Sequence, residues 1–106
     1  MFKIKEGILF QKDFRIDASV SIADYAMGAT SHDIDPDETI AVVAINGIPY
    51  ELNLPGAVIV EEILNKKKED EILEILMSLF LGVEKQDAIN AFEEYTNILK
   101  DLAIIE

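Results

Sequence analysis

Residues 44–57 read AINGIPYELNLPGA, and the fold turns on the change of period inside this stretch. Asn46-Gly47 between two apolar runs is a strong hairpin signal, because a type I′ turn needs positive φ at both central positions. The run before it, TIAVVAI at 39–45, is rich in β-branched residues and reads as a strand. With a two-residue loop, Ile45 faces Ile48 and Val43 faces Tyr50 as hydrogen-bonded pairs. The amides of Ile48, Tyr50 and Leu52 then point to the partner strand, and those of positions 49 and 51 point away. Pro49 has no amide to donate, so this register puts it where proline is tolerated. Ile48, Tyr50 and Leu52 share one side-chain face with Ala41, Val43 and Ile45. The strand from Ile48 to Leu52 is therefore expected to be an open edge, the geometry that strand addition requires. A proline there also blunts the edge against aggregation.

Past Leu52 the period becomes helical. Asn53 can cap a helix with its side-chain oxygen, and Pro55 fits a first turn whose amides lack partners. Helices are predicted over 54–64, over 69–81 with Gly82 ending it in the left-handed conformation, and over 84–102. Ala88, Ala91, Phe92, Tyr95, Ile98, Leu99 and Leu102 are expected to form the core stripe of the last one, at spacings of three and four. Ile72, Leu73, Ile75, Leu76, Met77, Leu79, Phe80 and Leu81 leave the middle helix almost no polar face in its second half. That helix is either central to the core or a contact for a homodimer.

Upstream, 7–12 reads as a first strand. Phe14 to Ile22 (FRIDASVSI) alternates apolar and polar residues and predicts a second. A one-turn helix opened by Ser21 with Asp24 competes for its end. Residues 28–38 (GATSHDIDPDE) read as an exposed acidic loop. The expectation is one α+β domain over 1–106: a β-rich half at 1–52 carrying the 28–38 loop, then three helices at 53–106.

Composition narrows the function. A net charge of −12, with 9 basic against 21 acidic residues, repels phosphate backbones and anionic lipid heads. The sole basic cluster is Lys66, Lys67 and Lys68. Cysteine is absent, which excludes disulfides and thiolate chemistry. No apolar stretch resembles a signal peptide or a bilayer span, so a cytoplasmic location is expected. Asp33, Asp35, Asp37 and Glu38 resemble alternate calcium ligands, but the loop positions that need glycine and a bidentate acid hold Glu38 and Ala44. His32, the one histidine, has no nucleophile or oxyanion donor beside it in sequence. Neither an enzyme nor a bound cofactor is expected. Three helices beside a hairpin also suit a DNA-binding winged helix. Along 84–102, however, Glu84, Asp87, Glu93, Glu94 and Asp101 oppose only Lys85 and Lys100, the wrong balance for a helix on phosphates.

The run LNLPGAVIVEEI (52–63), with EDEILEIL (69–76), GVEKQDAINAF (82–92) and LKDLAIIE (99–106), resembles the pyrroloquinoline-quinone biosynthesis protein D family. Leu52-Asn53 is similar to that family's helix entry. Gly56-Ala57 with Ile59-Val60, Glu71-Ile72 and the closing Leu-x-x-Leu-x-Ile-Ile fall at its spacings. The resemblance covers the last 55 or so residues, and the 14–38 region departs from it in length. It implies a winged-helix peptide chaperone, the recognition element of pathways that modify ribosomally made precursor peptides. Such a protein takes the leader peptide as an added strand and presents it to a modifying enzyme, often a radical S-adenosylmethionine enzyme. Carried onto this chain, the groove lies between Ile48, Pro49, Tyr50, Glu51 and Leu52 and the last helix. Glu51 is expected to supply backbone pairing, and Tyr50, Phe92, Tyr95 or Leu99 the apolar walls. Glu93, Glu94 and Asn97 are expected to select basic leader residues or dock the partner enzyme. The alternative is a dimeric structural or regulatory interaction module.

Overall fold

Asn46 and Gly47 take φ values of 51° and 81°, the left-handed pair that a type I′ turn demands. They join β2 (Ala41–Ile45) to β3 (Ile48–Leu52) in the expected register, from Ile45 opposite Ile48 to Ala41 opposite Leu52. β1 (Leu9–Lys12) pairs with the other side of β2, so the antiparallel sheet runs β1-β2-β3. The computed structural model describes residues 2–28, 37–79 and 84–106. His32, Asp33, Asp35, Phe80, Leu81 and Gly82, and the roles considered for them, lie outside the described residues.

Phe14 to Ile22 is not a strand. Asp13 Oδ1 accepts from the Arg15 amide at 2.9 Å, and Asp17 Oδ1 accepts from the Ser19 amide at 2.8 Å. Two successive turns result, closed by Ile16 N to Asp13 O and Val20 N to Asp17 O. Aspartates that satisfy nearby amides compete with a sheet ladder, and here they win. The same bonds hold both carboxyls below their ordinary range: Asp13 mainly through the Arg15 side chain, Asp17 mainly through the Ser19 amide. The competing helix forms as α1 (Ile22–Gly28), with Ser21 Oγ accepting from the Asp24 amide at 3.1 Å. The β-rich half thus carries a helix of its own.

α2 (Leu54–Leu64) is the central element. Nine of its eleven residues are buried, which makes it apolar on nearly every side. Val58, Ile59 and Val60 are fully enclosed, and each contributes about 1.5–3 kcal/mol by burial. Asn53 caps it as expected, its Oδ1 accepting from the Gly56 amide at 3.2 Å. Its other end closes through Lys67 N to Glu62 O, with Lys66 left-handed at φ 61°. A lysine there costs about 1–2 kcal/mol that glycine would avoid.

Two glutamates of α2 are buried, at 7 % and 4 % exposure for Glu61 and Glu62. Glu61 Oε1 accepts from the Ile22 amide at 2.6 Å, capping α1 from outside its own sequence. Glu61 Oε2 lies 3.4 Å from Lys12 Nζ, which also donates to the carbonyls of Ala18 and Val20. One ion pair therefore ties β1, the double turn, α1 and α2 together. Glu62 has its carboxyl pushed above the usual range, first by burial and then by the Glu61 charge.

α3 (Glu69–Leu79) buries Ile72 and Leu76 in the common core, with Leu73, Ile75 and Leu79 packed against it. Among its described residues no large apolar side chain is exposed. α4 (Lys85–Asp101) buries Ala88, Phe92, Thr96 and Leu99, whereas Ala91 and Ile98 of the expected core stripe are exposed. Thr96 is tolerated there because its hydroxyl donates to the Glu93 carbonyl at 2.9 Å. Beyond α4, Ala103 turns left-handed at φ 61° and sends Ile104 and Ile105 back into the core. Ile105 pairs with Ile4, and Glu106 N donates to Lys3 O at 2.9 Å.

Candidate functional site

Among the described residues, no strand pairs with the outer side of β3. Ile40 N donates to Leu52 O at 2.9 Å, which aims the Leu52 carbonyl at β2. Alternation along an antiparallel strand then aims the Pro49 carbonyl and both backbone groups of Glu51 outward. Pro49 and Glu51 are exposed.

Against this edge stands the C-terminal half of α4, and a cleft of about 340 Å³ separates the two. Its floor is Leu52, Gly56 and Leu99; Tyr95, Ile98 and Leu102 form the helical wall. Glu51, Asp37 and Thr39 sit on the opposite rim. The cap residue of α2 shapes the bottom: Asn53 Nδ2 donates to Tyr95 Oη at 3.2 Å while its Oδ1 receives the Gly56 amide. One asparagine thus starts α2 and fixes the ring that closes the cleft. Ile98, at 47 % exposure, is a large apolar side chain left open along this wall. The cleft is apolar inside with acid on its rim, and three main-chain groups of β3 point toward that side.

The expected site residues separate into groups. Glu51, Leu52, Tyr95 and Leu99 come together in the cleft. Ile48, 57 % exposed, and Pro49 lie farther along the same strand toward the hairpin turn. Tyr50, expected as a wall, does not line the cleft: it is half-buried and packs against the core. Phe92 does not wall this cleft. It is buried with its ring edge-on to Phe2 at 6.1 Å, and it lines a separate cleft of about 270 Å³ with Glu93, Thr96 and Leu73. Glu94 and Asn97 are exposed on α4 and line neither cleft.

Ile98 and Leu102 had not been singled out as walls. They share the three-and-four spacing of Tyr95 and Leu99, which was the available signal. Thr39, Asn53 and Gly56 carried no sequence signal for a site beyond the helix cap. Among the described residues, no group of three or more His, Asp or Glu side chains is placed to hold a metal ion. Nor is any helix there long and apolar enough to cross a membrane. Comparison with protein-family models, with curated proteins and with solved structures finds no match.

Proposed function

We propose that the protein is a non-enzymatic peptide-binding module of winged-helix type. It takes the leader of a ribosomally made precursor as a fourth strand on β3 and presents it to a modifying enzyme. The observation that carries this reading is the open β3 edge facing an apolar cleft against α4. An extended peptide laid along the edge can accept from the Glu51 amide and donate to the carbonyls of Pro49 and Glu51. Its alternate side chains then point into the space between Leu52, Tyr95, Ile98 and Leu102. Main-chain bonds supply affinity without regard to sequence, and the cleft supplies selection. The acidic rim favours lysine or arginine beside the apolar anchor. The resemblance of 52–106 to the protein D family points the same way and names the partner class.

The test is titration of isotope-labelled protein with short precursor peptides encoded beside its gene, followed by amide shifts. Shifts are expected at 49–53 and at Tyr95–Leu102. Saturable binding whose shifts avoid both segments refutes the groove.

A further inference from the structure

We infer a second docking surface, at the pole where the N-terminal segment meets the end of α2, that takes an acidic amphipathic segment of a partner protein. A cleft of about 510 Å³ lies there, lined by Phe2, Ile4, Ile63, Leu64, Lys3 and Lys66. It shares no lining residue with the β3 cleft, so the inference stands apart from the peptide-binding proposal.

The argument is one of charge. The chain carries 21 acids and 9 bases. Lys12 and Arg15 are spent in ion pairs, and Lys100 lies over the Phe2 ring at 4.9 Å. Of the six bases that remain, five are Lys3, Lys5, Lys66, Lys67 and Lys68. None of the five makes an ion pair among the described residues, although acids outnumber bases more than two to one. Two of them line the cleft itself. The ten residues 2–5 and 63–68 contain no acid at all. The cleft is thus lined by four apolar side chains and two lysines, with no acid among them, on a molecule of net charge −12.

That pairing of features specifies the occupant. The trough needs apolar side chains, and Leu64 at 43 % exposure marks where they would seat. The rim needs carboxylates. A helix with leucines on one face and glutamates beside them supplies both. A nucleic acid supplies only the charge and is repelled by the surrounding acids. A bilayer is too flat to enter the trough, and it would meet the same acids.

The experiment uses the full chain, labelled for amide shifts, and a synthetic peptide with leucines at helical three-and-four spacing and glutamates between them. A scrambled peptide of the same composition and phosphatidylglycerol vesicles serve as comparisons. Shifts are expected at Phe2–Lys5 and Ile63–Lys68. Affinity should fall as salt rises, since exposed charges are screened over about 8 Å at physiological ionic strength. The Lys3→Glu/Lys66→Glu pair should weaken binding by roughly tenfold or more, because it sets like charges across the rim. If that pair does not fold, Lys3→Gln/Lys66→Gln replaces it with a smaller loss expected. Equal binding of the scrambled peptide, or shifts confined to 48–52 and α4, overturns the inference. So does binding to the vesicles without binding to the peptide.

Discussion

Proline scanning along β3 gives the sharpest check on where its backbone groups point. Glu51 N–H faces outward by the register that sets Ala41 opposite Leu52 and Val43 opposite Tyr50. A proline at 51 therefore removes no ladder bond, and its ring enters solvent beside the cleft. Adjusting φ from a strand value costs something, and the stiffer unfolded chain returns part of it, so Glu51→Pro should stay within about 1 kcal/mol of the parent. Tyr50 N–H faces β2, so Tyr50→Pro removes a ladder bond and forces its ring against the neighbouring strand. It also takes a half-buried side chain from the core, for a total of about 3 kcal/mol or more. Urea unfolding separates these outcomes readily, since a domain of this size loses roughly 1–3 kcal/mol per molar urea. Glu51→Pro should also abolish leader binding while leaving amide shifts of the core in place, because it deletes the one edge donor between Pro49 and Asn53. If Glu51→Pro destabilises as much as Tyr50→Pro, the outward assignment is wrong. If Glu51→Pro folds and binds the leader as before, strand addition at this edge is wrong.

Other perturbations test the scaffold. Glu61→Leu leaves Lys12 without its partner and the Ile22 amide without its acceptor, and should cost about 3–5 kcal/mol in urea unfolding. Glu61→Gln keeps an acceptor for Ile22 and should cost less; equal losses would mean that the cap to α1 contributes nothing. Asn53→Ala removes both the α2 cap and the bond to Tyr95, so a loss of about 1–2 kcal/mol is expected, with shifts at Tyr95. Glu62 holds its proton more tightly when folded than when unfolded. Its contribution to stability is therefore lost as pH rises from the ordinary carboxylate value through the raised one, and a constant penalty remains above both. Glu62→Gln should accordingly be more stable than the parent near pH 7, with the advantage vanishing toward about pH 4; an advantage unchanged with pH would refute the assignment.

What could be read from the residues was read where the cause is local. Asn46-Gly47 and Asn53 act through their own turn or cap, and both fall where their chemistry requires. Alternation over 14–22 does not report burial, because the two aspartate turns bury Ile16 while Phe14 and Ala18 stay exposed. Glu61 was out of reach for a different reason. Its partner amide is 39 positions away, and nothing in either neighbourhood marks them as a pair. The division of α4 into a face toward Phe2 and a face toward β3 depends on where neighbouring elements lie around it. A seven-residue apolar stripe could not say that Phe92 belongs to one side and Ile98 to the other.

The clasp between residues 3–5 and 104–106 carries a consequence for how the fold opens. Lys5 N donates to Ile104 O at 3.1 Å and Glu106 N to Lys3 O at 2.9 Å, so residues 3–5 and 104–106 run side by side about 5 Å apart. The two segments are therefore one cooperative unit: loosening residues 3–5 also uncovers Ile104 and Ile105, and the amides of Lys5 and Glu106 should exchange hydrogen together.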